Sequence, residues 1–463
     1  MKSSRLFLTV FAALAITACS NDNELTGEQP GNSNENVSDA YAAFSISIPN
    51  TSVTRAAMTR TDPGTTAENG VKSLHVFIYD AESPFTPTVA QFTVADGSLK
   101  QETSGSSKWV TNKAVRVKKV DKYIFAGINL TPEIVSYITT NGYGAFNYKA
   151  FEQATAILAD ATNGFVMFND TYPALTPAAS LSDNESDASA NHISISVERV
   201  VAKAAVFQGQ NYVVNGGGQM TNLTYGWRNL NKKFYFIQDG RDNLIKDYNW
   251  DSFSPTDFTR GTDALPVYNY GATASAFSYA SENAFQFVKA TSVVDGATFL
   301  SVSGVFTPQK VVSTALPTPA EFTDFELVNN PNAAGSTFYI VRTSDGIANY
   351  FADGTIAQKF ADLCIAGAAG MPTLAKVPYT LVDNTYTNGM CYYHIFVNGK
   401  AVAPQAPYNI YRNQYFKVTV NSIQAPGNPS DNFDDGEVIT PDAWIGVDIE
   451  VNPWEVIEED HDL

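Results

Sequence analysis

Thiol and imidazole chemistry in this 463-residue chain rests on three cysteines and four histidines. Cys19, Cys364 and Cys391 stand far apart, and no CxxC or Cys/His pair has metal-site spacing. His75 and His394 fall inside strand-like runs, where packed positions are expected; His192 begins another run and His461 lies in the terminal tail. "NGGGQM" at 215–220 lacks the Lys-Ser/Thr of a phosphate loop and reads as a hairpin turn. "SDNFDDGE" at 430–437 puts Phe433 on a calcium-ligand position, so a solvated acidic linker is expected. No GxSxG elbow or HExxH occurs. Paired carboxylates for glycoside hydrolysis come from distant strands and leave no local signature. No catalytic residue, cofactor or metal site is expected, and the chain is read as not an enzyme.

Cys19 is the cysteine with a telling context. "MKSSR" carries Lys2 and Arg5, "LFLTVFAALAI" is a short apolar run, and Ile16-Thr17-Ala18 leads into Cys19. These small residues before a cysteine resemble the bacterial lipoprotein signal, in which residues 1–18 are removed and Cys19 is acylated as the new N-terminus. The alternative is an incidental cysteine beside an ordinary cleavage site. Residues 19–40 then form a polar tether without a core-forming pattern. Asp22 and Glu24 within it loosely resemble surface-export tags. Cys364 and Cys391 are left either to pair in an oxidising compartment or to stay as two buried thiols.

Composition limits what the rest can be. Hydrophobic residues make up 44% and charged residues only 16%, with 23 Tyr and 29 Phe, which favours a β-rich fold. The net charge of -18 argues against nucleic acid or anionic lipid as partners and suits solubility outside a cell.

Strand periodicity runs through the chain. Phe44, Ile46 and Ile48 alternate with serines and stop at Pro49. "VKSLHVFIYD" and "DKYIFAGINL" read as buried strands. Thr131 and Pro132 open a helix whose Ile134, Val135 and Ile138 face the sheet. A second short helix is expected in "YKAFEQATAILAD" at 148–160. In "HISISVERVVAKAAVFQ" the apolar parity switches near Arg199, from Ile193, Ile195 and Val197 to Val200, Ala202, Ala204 and Val206. A domain boundary is placed there. Further strands are expected in "NLTYGWRNLNKKFYFIQ", "AFQFVKATSV", "TFLSVSG", "TFYIVRTS", "MCYYHIFVNGKAV" (with Asn398-Gly399 as a hairpin turn) and "NQYFKVTVNSI". A loose acidic linker at 424–443 precedes a last strand, in which Ile445, Val447, Ile449 and Val451 alternate with polar residues. The fold class is therefore all-β with short helical insertions, most economically two tandem β-sandwiches.

Several segments together resemble one family. "ITAC", "FSISIPNTSVTRA", "YIFAGINLTPEI", "VERVVAKAAV", "WRNLNKKFYFIQ", "YRNQYFKVTVNSI" and "VDIEVNPWEV" occur in the order found in the lipoprotein fimbrillins of Bacteroidales, the subunits of type V pili. The likeness is greatest to the shaft subunit of the short (minor) fimbriae. It implies two transthyretin-like β-sandwich domains, placed here at 56–200 and 201–423. It also implies an outer-membrane lipoprotein precursor and an Arg-specific or trypsin-like maturation protease. Carried onto this chain, the cut falls at Arg55-Ala56, with Arg60-Thr61 as backup, and releases 41–55 with Phe44, Ile46 and Ile48. A neighbouring copy then fills the groove with a C-terminal strand from 444–463, and the product is an extracellular fimbrium for adhesion. Two donors are open. Either Ile445, Val447, Ile449 and Val451 leave with Trp454 and Val456, or the strand completes its own sheet and only the chain after Pro453 donates. The implied partners are further copies, accessory fimbrial subunits and a receptor that the sequence does not name. Alternative readings are an anchor or tip subunit, or a surface glycan-binding lipoprotein.

Overall fold

The computed structural model describes residues 38–48, 62–288, 291–313, 326–432, 439 and 445–455. The apolar alternation of the first half produces strands β1 (Asp39–Ala42), β2 (Phe44–Ser47), β3 (Asp62–Pro63), β4 (Ser73–Asp80), β5 (Ser83–Thr93), β6 (Leu99–Gln101), β7 (Lys108–Thr111), β8 (Val115–Lys118) and β9 (Lys122–Ile128). Helix α1 (Pro132–Asn141) follows, then β10 (Met167–Asn169) and β11 (Ile193–Arg199). Thr131 caps α1 by accepting from the Ile134 N–H at 3.3 Å, and Ile134 and Ile138 are its buried residues. One eight-stranded sheet runs β5-β4-β9-β10-β11-β2-β7-β6. It curls over on itself, because Phe44 on β2 meets Phe92 on β5 with ring centroids 6.3 Å apart.

The second half contains β12 (Val201–Val214), β13 (Gly218–Arg228), β14 (Leu265–Pro266), β15 (Ser278–Ser281), β16 (Phe299–Pro308), β17 (Phe338–Arg342), β18 (Ala348–Phe351), helix α2 (Gly354–Ile365), β19 (Thr385–Tyr386), β20 (Met390–Ile395), β21 (Gln414–Ile423) and β22 (Ile445–Glu455). A five-stranded sheet, β15-β12-β21-β22-β3, faces a four-stranded one, β14-β13-β16-β20. Trp227 on β13 stands edge-on to Phe416 on β21 at 5.6 Å, across the space between them. A satellite of β18-β17-β19 and α2 has a small core of its own around Phe351 and Phe360. The class is all-β with short helical insertions, as composition and resemblance imply.

The chain leaves the first sheet for the second at Val200, where the parity of apolar residues changes. The two halves do not have separate cores. Phe168 from the first half stacks on Phe236 from the second at 4.7 Å, and Phe165 meets Tyr279 at 5.1 Å. Single-face alternation also understates β12, whose residues 201–207 are buried on both faces.

Other expectations are corrected by competing partners. The helix expected at 148–160 shrinks to one turn, Thr155–Leu158, because the Phe151–Glu152 backbone pairs with Lys233–Phe234. "NGGGQM" is a turn between two sheets and not a hairpin, since β12 and β13 have different ladder partners. The described residues of "AFQFVKATSV" form no strand; the Asn409 amide takes the Phe285 N–H and donates to its carbonyl. Asn398-Gly399 makes no hairpin either. The chain after it carries Pro404 and Pro407, which have no N–H to give a ladder, and β20 pairs with β16 instead.

A buried polar knot holds the junction of the halves. The Glu68 carboxylate accepts from Lys203 Nζ at 3.1 Å and from the Tyr279 hydroxyl at 2.8 Å. Arg199 donates to the Glu68 carbonyl at 3.2 Å and to Asn413 at 3.1 Å. Lys203 also lies 4.2 Å from the centre of the Phe277 ring. Glu68, Arg199 and Lys203 are all fully buried. Glu68→Ala removes the carboxylate that the buried Lys203 and the Tyr279 hydroxyl bind, a loss of about 3–5 kcal/mol. Urea unfolding near neutral pH should show that fall; a change of less than ~1 kcal/mol would mean the knot does not hold the junction.

Candidate functional site

β2 is an interior strand. It runs parallel to β11, with Phe44 to Ser47 opposite Ile193 to Ser196, and antiparallel to β7, with Ser45 to Ser47 opposite Val110 to Lys108. Phe44, Ile46 and Ile48 are 0%, 0% and 1% exposed, which agrees with the alternation read from the sequence. Burying each such side chain contributes roughly 1.5–3 kcal/mol. Polar partners fix the register. The Phe44 N–H donates to Thr111 Oγ1 at 3.0 Å, the Ile48 N–H to the Ser107 carbonyl at 3.2 Å, and the Ser45 and Ser194 hydroxyls meet at 3.0 Å. Loss of β2 would detach β6 and β7 from the ladder, bare the facing edges of β7 and β11, and open a slot lined by apolar residues.

The segment before β2 is more engaged than a tether. β1, which begins at Asp39, pairs with β8, and Ala40 and Ala42 are buried. Tyr41 exchanges two backbone hydrogen bonds with Ser182, at 2.8 and 3.0 Å. Arg116 and Asp39 form an ion pair. "DAYA" lacks apolar alternation, so periodicity gave no signal for this strand.

At the other end, β22 pairs antiparallel with β21, from Ile445 opposite Ile423 to Pro453 opposite Gln414. Ile445 is buried, while Val447 and Ile449 are half-buried against the main core. Val451 and Trp454 belong to the same strand by their backbone. Among the described residues, β3 adds parallel to the outer edge of β22 at Trp454 and Glu455. Cys19, Arg55, Ala56, Arg60, Thr61, Val456 and His461 lie outside the described residues.

The described first part of the expected acidic linker, residues 425–431, is strapped to the body of the fold. The carbonyls of Ala425, Pro426 and Gly427 accept from Tyr393 at 2.9 Å, Arg342 at 2.8 Å and Tyr386 at 2.7 Å. Asn428 exchanges backbone hydrogen bonds with Tyr392. Asp431 is buried and takes Arg228 Nε at 2.5 Å together with the Ser301 hydroxyl; His394 Nε2 stands 3.7 Å away. Burial disfavours this carboxylate, but the His394, Ser301 and Arg228 groups outweigh burial and hold its pKa at about 2.

Chemistry expected to be absent leaves structural roles for the remaining groups. Cys364 and Cys391 are buried, unpaired thiols, pushed up by burial to about 11 and about 12. Burial lowers His75 to about 4. Among the described residues no group of His, Cys, Asp and Glu is placed to hold a metal ion, and no helix is long and apolar enough to cross a membrane.

Residues 384–460 match the family described as "Major fimbrial subunit protein type IV, Fimbrillin, C-terminal". That stretch includes β20, β21 and β22. The comparison with curated proteins returned no match. Solved structures that resemble the chain include a putative cell adhesion protein from Parabacteroides distasonis ATCC 8503. It has 13% identity and a TM-score of 0.48, over 91% of this chain and 98% of that one. A fimbrilin (fimA) from Porphyromonas gingivalis W83 gives 13% identity and a TM-score of 0.44, over 91% and 99%. The tip fimbrial protein Mfa3 of Porphyromonas gingivalis gives 13% and 0.37, over 90% and 100%. The resemblance to the fimbrillins drawn from the sequence is borne out by the family match. That family is one of structural, non-enzymatic subunits.

The Asp431 anchor has a definite pH signature. Its native pKa lies below the ordinary value of 3.8, so its stabilisation is present above that value and fades as pH falls towards about 2. Asp431→Asn should lower the urea midpoint near neutral pH, and the deficit should shrink near pH ~2. An equal deficit at both pH values would show that the carboxylate charge is not what holds the strap.

Proposed function

We propose that this chain is a structural fimbrial subunit that polymerises by strand exchange into adhesive fimbriae on the cell surface. The precursor is acylated at Cys19 and carried to the outer membrane. A protease of Arg-specific or trypsin-like preference cuts at Arg55-Ala56, with Arg60-Thr61 as the second bond. The chain before the cut leaves, and with it residues 41–55 carrying Phe44, Ile46 and Ile48. Residues 56–200 and 201–423 act as the two sandwich domains of the mature subunit. A neighbouring copy fills the vacated slot, and accessory subunits complete the fimbrium.

The observation that carries this reading is the interior position of β2, with partners on both edges and three buried apolar side chains. Such a slot suits a strand added through main-chain hydrogen bonds and alternating side chains. The donor is β22. Ile445, Val447, Ile449 and Val451 have the period needed to replace Phe44, Ile46 and Ile48. At home β22 pairs with β21 over Ile445–Pro453 and, among the described residues, with β3 at Trp454 and Glu455, whereas the slot offers partners on both edges. Trp454, at the end of β22, and Val456 after it are the donor residues beyond Pro453.

Mild trypsin treatment of the full chain should cut after Arg55 or Arg60 and yield filaments in negative-stain electron microscopy. Cut protein that stays monomeric would defeat the reading. Two truncations locate the donor, each checked first for a cooperative melt. Loss of 444–463 should abolish filaments, and loss of 454–463 should leave them. If the shorter truncation already abolishes them, the donor lies beyond Pro453.

A further inference from the structure

Five tyrosines form a half-buried strip that strand exchange does not use. Tyr123 and Tyr143 have ring centroids 5.3 Å apart, and Tyr143 and Tyr172 are 6.3 Å apart and joined through their hydroxyls. Tyr172 and Tyr148 are 6.1 Å apart, and Tyr148 and Tyr235 are 5.9 Å apart. Each ring is partly exposed. Both halves of the chain contribute, Tyr123 from β9 and Tyr235 from the second half. The Tyr235 carbonyl accepts from the fully buried Arg412 at 2.7 Å, so that end of the strip is fixed from beneath.

Tyr148 is the unusual member. Its φ of +51° is a left-handed conformation that a bulky side chain rarely adopts. Strain of this kind persists only where surroundings impose it, and it gathers at functional positions. The Arg241 guanidinium lies 3.9 Å from the Tyr148 ring centre. Asp239 holds that guanidinium with two hydrogen bonds, at 2.8 and 2.9 Å.

We propose that this strip binds an uncharged glycan. Tyrosine rings give rigid apolar contact for sugar C–H faces at low entropic cost, and a tyrosine hydroxyl can add a hydrogen bond beside that contact. The Arg241–Asp239 fork adds donors and acceptors side by side, already neutralised, so it does not select an anion. The chain's net charge of -18 further disfavours a sulfated or otherwise polyanionic sugar. This site is independent of strand exchange and is present in the uncut monomer.

The test uses uncut full-length protein and saturation-transfer NMR with calorimetry. The probes are cellohexaose, maltohexaose and chitohexaose, with a heparin hexasaccharide and a proline decamer as contrasts. At least one neutral hexasaccharide should bind saturably. Tyr148→Gly removes the ring where glycine tolerates the backbone, so the melting temperature should not fall while affinity drops at least about tenfold. No binding of any neutral probe, binding of heparin or polyproline in their place, or affinity unchanged in Tyr148→Gly would each overturn the proposal.

Discussion

Two buried cations stand on either side of the residue where the chain crosses between sheets, and Glu68 serves both. Lys203 takes its carboxylate and Arg199 its carbonyl, while Tyr279 and Asn413 complete the partners. Burial lowers Arg199 to about 10, so it stays charged at neutral pH. Ionised groups are tolerated at such depth only when they are paired and hydrogen-bonded. The knot therefore fixes three things at once: the segment that follows β3, the passage from β11 to β12, and the start of β21. β2 is laddered to β11, and β22 is laddered to β21. Both ends of the proposed exchange are thus referred to the same fixed point.

This arrangement explains how a subunit could lose an interior strand and keep its shape. β2 and the adjoining Ile48 contribute three fully buried side chains and two ladders, and the partners described for them lie on β7, β11 and Ser107. A second polar network backs the first. Arg412 takes Glu282 at 2.7 Å and the carbonyls of Tyr235 and Phe236, while burial and the neighbouring Glu282 raise the Asp247 pKa well above the usual carboxylate range. Asp431 then pins the approach to β22. The body between the two terminal strands is thus braced by buried charge.

The sequence made plain whatever is periodic. Phe44, Ile46 and Ile48, the apolar run of β4, the capped start of α1 and the alternation of β21 and β22 all follow from local pattern. What stayed hidden depends on partners far away in the chain. Glu68 sits in "TTAENG", which looks like any polar loop, until Lys203 is found 135 positions on. Asp431 looked like one acid of a solvated run, and Arg228 makes it a buried anchor. "AFQFVKATSV" has strand composition, but one asparagine side chain supplies the hydrogen bonds a neighbouring strand would have given. The tyrosine strip draws on residues from 123 to 235 with no local motif.

Hydrogen exchange followed through maturation tests the central claim most directly. The amides of Lys108–Thr111 and Ile193–Ser196 flank β2 in the uncut chain. They should be protected before cleavage, exchange rapidly once the first strand is removed, and become protected again in the filament. Amides that stay protected after cleavage, or stay open in the filament, would contradict an account in which a neighbour's strand replaces β2.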